Sequence, residues 1–497
     1  MTDQLSARQR VTQEALTGRL PVLSGERVYV KYMPFLWTCT TFAAATWTFL
    51  IGGYLPYVGN TLAGSAGYAV GFIIGMAFVT MASAFAPYKY GVETLDATKT
   101  AYGTRGMILP LICLLVTLLG WGIVVMALTA RGAGNVIQQV RGSSEPAPEG
   151  VVIVIALLSL VLVWFLTIRG PHLFERLNNW LAPGHLIVTA IMLIVLLAKF
   201  GPDLFSITVP TEQMYTTDKR LGLAFAIEFG VASAFTWWPV MGGLSRLVKN
   251  RGHVVGPSVV GVGVLGSAVI STVAALAGAA YGTADPTIWM VDLGGRVLGS
   301  LIVLFVLVAN VGTMIILMYM CGISIQHVKV LARVPYQWII AMLLVPWIPF
   351  AFRTEWLLAE VMTWLTYDGL IFTGITSVMI VDYFLLRRQR LDLAGIFSKS
   401  PRGPYWFWGG VNWIAVVVTV GSVPAYLRLY DPVTMESHGF FKAFGAGLPV
   451  VVAGALVYWV AMRLIALPLG KGGYRSRYVS NDPAEMPARM TELHVGL

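Results

Sequence analysis

The 497-residue chain is 57% hydrophobic and only 12% charged, with a net charge of +10. Ordinary soluble domains run to about 25% charged residues, so this composition excludes a soluble fold and describes a surface that faces hydrocarbon. The basic residues lie in short polar gaps between apolar runs, where they act as topology signals, and nucleic acid is excluded as a partner.

Residues 1–34 include Gln4, Arg8, Gln9, Arg10, Glu14, Arg19, Glu26 and Arg27, too polar for a cleavable signal peptide, and they are expected to form a cytoplasmic tail. Apolar runs close to the roughly 20 residues that cross a bilayer follow in series. Bounded by charge, Gly/Pro or Asn/Asp, twelve spans are predicted: 35–57, 62–86, 106–130, 150–168, 184–200, 221–243, 258–281, 292–323, 336–352, 355–384, 406–427 and 440–468. No gap is long enough for a soluble domain, so a single all-α membrane domain (35–468) and a second cytoplasmic tail (469–497) are expected. With the N-terminus inside, 25 of the 34 basic residues fall in inside segments and 9 outside, which places both termini in the cytoplasm of a multi-pass protein of the cell membrane. Cys39, Cys113 and Cys321 are scattered through apolar runs without metal-type spacing and read as small core residues.

An internal echo runs across the spans. Thr46-Trp47-Thr48-Phe49-Leu50-Ile51-Gly52-Gly53 in span 1 matches Thr236-Trp237-Trp238-Pro239-Val240-Met241-Gly242-Gly243 in span 6 at Thr, Trp and both glycines. Secondary transporters are commonly built from inverted repeats whose first helices are broken by Gly or Pro near the midplane. The echo makes spans 1 to 5 (35–200) and 6 to 10 (221–384) the expected repeats, with 406–468 as two additional helices.

Five segments carry a family resemblance: Tyr102-Gly103-Thr104-Arg105-Gly106, Gly120-Trp121, Ser245-Arg246, Val381-Asp382-Tyr383-Phe384-Leu385-Leu386-Arg387-Arg388 and Gly410-Val411-Asn412-Trp413. In order and spacing they resemble the nucleobase:cation symporter family, which includes the purine-cytosine and the allantoin and hydantoin permeases. The resemblance implies a leucine-transporter-like fold of five plus five inverted helices, alternating access, and import coupled to sodium or protons. It also implies a planar heterocycle held between aromatic side chains of spans 3 and 6, an arrangement in which ring faces add offset stacking to apolar contact.

Trp121 corresponds to the span 3 aromatic, and in span 6 Trp238 and Phe235 rank above Trp237. Trp47 and Gly242 at the candidate breaks complete the expected substrate site with Val125 and Met318, which stand where hydantoin-type members carry amide side chains. Ala309-Asn310-Val311-Gly312-Thr313 resembles the stretch that supplies sodium ligands alongside span 1 carbonyls; a sodium ion would take Ala309, Gly312 and Thr313, with an amide from Asn310. No other metal and no cofactor is expected, the coupling ion being sodium or a proton. Ionisable groups within the bilayer are functional candidates, and Glu228 in span 6 leads them, either as a proton carrier or as a cap on broken-helix backbone. Glu360 and Asp368 rank below it, and Asp382 beside Arg387 reads as an interfacial anchor.

An enzyme is excluded by the absence of zinc-spaced histidines, a Gly-x-Ser-x-Gly elbow or a phosphate loop; Gly470-Lys471 is followed by Gly472, which removes ATP-driven transport. The rival reading is a symporter of the same fold for an amino acid, an amine or a vitamin such as a pyrimidine thiamine precursor. In either reading the partners are a small solute and the bilayer, and a monomer suffices.

Overall fold

The computed structural model describes residues 20–142, 147–326, 328, 330–331, 334–398 and 400–474. The outer parts of both expected tails lie outside the described residues, as do Lys329, Arg333 and Lys399 of the charge tally.

Among the described residues, eight helices are long and apolar enough to cross a membrane: α2 (Thr61–Tyr90), α3 (Ile108–Arg141), α4 (Glu149–Thr167), α5 (Arg176–Phe205), α7 (Arg251–Tyr281), α8 (Pro286–Ile325), α10 (Val361–Leu386) and α12 (Gly447–Ala466). Two bent pairs, each counted as one span, bring these to ten: α1a (Tyr32–Ala43) with α1b (Thr46–Val58) at 56°, and α6a (Lys219–Phe235) with α6b (Trp238–Ser245) at 44°. Two shorter apolar helices, α9 (Tyr336–Phe352) and α11 (Trp413–Leu427), lie where the ninth and eleventh spans are expected but are shorter than these ten.

Some ends differ from expectation for identifiable reasons. Span 3 is expected to end at Ala130, before Arg131, but α3 runs on to Arg141 because Arg131 is paired, at 3.3 Å from Glu355 and 3.8 Å from Asp285. It stops where Gly142 takes the left-handed conformation (φ 64°) that caps helices at little cost. α5 begins before residue 184 because its polar residues Asn178 and His185 are buried against protein and do not face lipid. In α8, Gly295 (φ 63°, ψ −162°) sets a short leading helix off from the span.

Both breaks fall at the Thr-Trp start of the echo, several residues ahead of the glycines, at Ala44–Ala45 and at Thr236–Trp237. The glycines serve close packing. A Cβ on Gly52 would lie 2.6 Å from Ser271 O in α7, and one on Gly242 would lie 2.7 Å from Ser83 O in α2. Each broken helix thus lies on the second helix of the other half, a reciprocal exchange that the inverted-repeat reading requires. Pro239 sits in the first turn of α6b, where a missing N–H costs nothing.

Exposed Val154, Leu158 and Val161 on α4, Ile187 and Ile194 on α5, and Val452 and Leu456 on α12 form the apolar outer surface. α1, α3, α6, α8 and α10 supply the buried interior. On the side of the α2–α3 connection, separate family segments meet. Arg105 N and Gly106 N donate to Gly410 O at 2.8 and 3.1 Å, and Asn412 N donates to Tyr102 O at 2.7 Å. Gly103 (φ 91°) must lack a side chain, since a Cβ would strike the same Gly410 carbonyl. Next to them Arg387 donates to Asp382 (2.7 Å), Thr100 O (2.5 Å) and Gly472 O (2.9 Å), while the Tyr474 hydroxyl donates to Asp382. Asp382 is therefore a buried clamp residue rather than an interfacial anchor.

Candidate functional site

Breaking a helix inside a bilayer strands backbone groups that must find partners within the protein. At the α1 break, Ala45 is extended (ψ 169°), and the carbonyl of Ala43 accepts from Trp47 Nε1 at 3.0 Å and from the Thr48 hydroxyl. Thr46 donates its N–H (3.0 Å) and its hydroxyl (2.6 Å) to Asn310 Oδ1 on α8. Asn310 Nδ2 in turn donates to Thr129 Oγ1 on α3 at 3.0 Å. One carboxamide thereby fastens the break to two other helices. The α6 break is satisfied within its own turn: the Thr236 hydroxyl donates to Ser233 O (2.8 Å), and Trp237 N donates to Ala234 O (3.1 Å).

Between the breaks lies a cavity with free space of about 30 Å³, walled by Phe42, Trp47, Tyr68, Phe72, Trp121 and Trp237. Each of these is at most 7% exposed, so the cavity lies in the buried interior. The rings form a continuous edge-to-face set: Trp47 meets Trp121 at 5.2 Å and 83°, and Trp237 at 6.1 Å and 80°, while Phe42 meets Trp237 at 4.8 Å and 71°. Hydroxyls of Thr48, Ser233, Thr236 and Ser267 supply polar points, and no lining side chain carries a charge. Behind the wall, Trp121 Nε1 donates to Asp368 Oδ2 on α10 at 2.8 Å, and the Thr117 hydroxyl meets Oδ1 of the same carboxyl.

Of the expected substrate residues, the structure brings Trp47 and Trp121 to the cavity. The span 6 aromatic at the cavity is Trp237, which the sequence ranking put below Trp238 and Phe235. Trp238 points the other way and stacks on Phe372 of α10 at 5.6 Å and 22°. Phe235 reaches toward Gly447 at the start of α12, and Gly242 packs on Thr94 and Ser83. Val125 and Met318 are buried outside the lining, Val125 giving its carbonyl to Thr129 and Met318 leaving the wall to its neighbour Leu317. The signal for Trp237 was present in the echo, which aligns it with Trp47. The role of Asn310 as a pin carried no such signal, because it depends on which helix α8 faces.

The expected sodium ligands fare unevenly. Ala309, Gly312 and Thr313 lie on one buried stretch of α8, and the Thr313 hydroxyl has no hydrogen-bond partner among the described residues. Gly312 faces Asn178 and Leu181 of α5, and the Asn178 side chain is likewise buried without a partner. Ala43 O and Asn310 Oδ1 are already engaged. Sodium takes several hard oxygen ligands, and this donor set fits it poorly. Glu228 lies away from the cavity. It accepts from Tyr426 OH (2.8 Å), Ala446 N (2.8 Å) and Gly447 N (2.9 Å), so it caps the N-terminus of α12, where backbone N–H groups favour a carboxylate.

Residues 28–444 match the family of permeases for cytosine/purines, uracil, thiamine and allantoin. The chain belongs to this family. A purine-uracil permease NCS1 of Arabidopsis thaliana is 32% identical over 108 residues, 20% of this chain and 18% of that protein. A hydantoin permease of Microbacterium maritypicum is 32% identical over 77 residues, 16% of this chain and 15% of the relative. The matched stretch therefore spans less than a fifth of either relative's length. Mhp1, a nucleobase-cation-symport-1 family transporter, in a closed conformation with bromovinylhydantoin bound, has the same fold. Its TM-score is 0.71 at 18% identity, with 92% of this chain and 98% of Mhp1 covered. The permease family is one of membrane transporters and not of enzymes, and its five-plus-five architecture is that of the broken-helix pair described above.

Proposed function

We propose that this permease imports a neutral nitrogen heterocycle of the nucleobase or hydantoin class by cation-coupled alternating access, with both termini on the cytoplasmic side of the cell membrane. The observation that carries the reading is the uncharged aromatic cavity between the two helix breaks. A flat ring slid between Trp121 and Trp237 gains apolar contact and stacking, and hydroxyls at the rim read its polar edge. An amino acid would bring a carboxylate and an ammonium into a lining with no counter-charge, at a cost that disfavours the rival. About 30 Å³ is room for only about two waters, so the indoles part to admit the ring. One chain contains the whole cavity, in keeping with a functional monomer. Of the two ions considered, the donor set around Thr313 favours a proton over sodium.

The test is thermal stabilisation of the purified protein by nucleobases, hydantoins, pyrimidine vitamins and amino acids, each with and without sodium. A ligand that binds only the folded state raises its apparent stability. The expected result is a shift with a flat heterocycle, absent in both Trp121→Ala and Trp237→Ala and independent of sodium. Shifts with amino acids alone would remove the heterocycle assignment and leave the fold intact.

A further inference from the structure

Asp368 is a carboxyl behind the cavity wall and outside its lining. It is fully buried in α10, and among the described residues it has no ion pair. Its partners are both on α3: the Trp121 indole N–H, at 2.8 Å from Oδ2, and the Thr117 hydroxyl against Oδ1. Cys113, Thr117 and Trp121, spaced by four, present one face of α3 to it.

The two contacts differ in kind. An indole N–H can only donate, so Oδ2 accepts whether the carboxyl is charged or neutral. A hydroxyl can donate or accept, so a proton bonded to Oδ1 is met by Thr117 turning from donor to acceptor. One proton is added from water and the charge of Asp368 goes from −1 to 0, with no covalent bond broken and no heavy atom displaced. Both contacts persist, but the indole passes from a charge-assisted hydrogen bond to an ordinary one, about half as strong. The face of that indole is the cavity wall, and its edge-to-face neighbour Trp47 donates to Ala43 O at the α1 break.

We propose that Asp368 is a proton-binding positioning residue that sets how firmly Trp121 is held at the cavity wall, so that proton loading and solute binding act on each other. The proposal rests on the cavity being the solute site. The groups packed around α10 leave Asp368 to titrate by itself. From α3, Cys113 faces it, while Arg131 pairs with Glu355 and Asp285. From α6a, Glu228 is taken up by Tyr426 of α11 and the start of α12. Tyr458 of α12 faces Asp382, Tyr102 of the Thr94–Tyr102 helix faces Thr419, and Glu355 pairs with Arg131. The Thr80–Ala84 turn of α2 carries no titratable group, and on α10 itself there remain Tyr367, Tyr383 and Asp382, the last held by Arg387. Glu360 precedes α10 on the exposed side.

Asp368→Asn keeps both contacts, its oxygen accepting from Trp121 and its amide donating to Thr117, and fixes the neutral form. The experiment is infrared difference spectroscopy of the full-length protein in lipid across pH, comparing wild type, Asp368→Asn, Thr117→Val and Glu228→Gln, with radiolabelled uracil exchange and pH-gradient-driven uptake in the same vesicles. We expect a titrating carbonyl band of a protonated carboxyl that is lost in Asp368→Asn, shifted in Thr117→Val and retained in Glu228→Gln. Gradient-driven accumulation falls at least about tenfold in Asp368→Asn while exchange stays within about threefold, since only the coupled step needs the proton to leave. Persistence of the band in Asp368→Asn, or its loss in Glu228→Gln, overturns the proposal. Absence of uracil transport by the wild type would count against the solute assignment, while the spectral arm decides Asp368 by itself.

Discussion

The two bent helices carry the same Thr-Trp…Gly-Gly echo and hold their bends by different means. At α1 the freed groups are tied to side chains, with Asn310 reaching in from α8 to take both donors of Thr46. At α6 the turn closes on its own carbonyls, and Trp238 stacked on Phe372 and Gly369 of α10 packed on Ala232 flank the break. Hydrogen bonds of good geometry are directional, whereas ring faces tolerate sliding. The α1 bend therefore fixes the register of the cavity, and the α6 bend is the side that adapts to what enters.

Removing the pin is expected to have the largest effect. Asn310→Leu strands two buried donors at about 1–3 kcal/mol each, so the thermal midpoint in detergent should fall by the equivalent of about 2–6 kcal/mol. Asn310→Asp, which keeps the acceptor for Thr46 and loses the donor to Thr129, should recover part of that loss. A leucine variant as stable as wild type would erase the distinction between the bends. Next comes Glu228→Gln, which weakens the cap that ties α6a to α12 and should cost about 1–3 kcal/mol by the same measurement. In ligand titrations, Trp237→Ala should weaken heterocycle binding about tenfold, or 1.4 kcal/mol, whereas Trp238→Phe leaves affinity within about twofold. The reverse order would move the site to the other face of α6.

The smallest effect belongs to the exposed pair at the start of α6a, where Lys442 bonds Asp218. Lys442 first, and then the Leu221 and Arg220 N–H groups, hold the Asp218 carboxyl below its usual range. A carboxyl whose folded value is depressed contributes stability above its unfolded range and loses it as pH falls through the folded value. Lys442→Gln should lower the neutral-pH midpoint slightly, the difference from wild type vanishing as pH falls through the folded value of Asp218 and being most visible at low salt.

Much of the architecture was legible because span length and charge asymmetry are imposed by the bilayer, not by particular neighbours. The echo located both bent helices and, through Trp47, contained the identity of the cavity aromatic on α6. Ranking Trp238 and Phe235 above Trp237 obscured it, because a helix with a break does not keep a constant angle per residue. Asn310 was singled out as a cation ligand and Glu228 as a proton carrier or a cap. Their partners, Thr46 and the start of α12, lie 264 and 218 residues away, and no local pattern announces such a meeting. Asp368 was ranked low for the same reason: its importance comes from facing Trp121 across a helix interface.

The clamp at Asp382 and Arg387 also dictates an order of assembly. Its parts come from Thr100, from the end of α10, and from Gly472 and Tyr474. The last of these is made only after every span has left the ribosome. Until then Arg387 lacks the Gly472 carbonyl and Asp382 lacks the Tyr474 hydroxyl, and a buried pair short of its partners is a costly one. A chain ended just before residue 472 would insert all its helices and still be unfinished, its closing stitch lying beyond the last span.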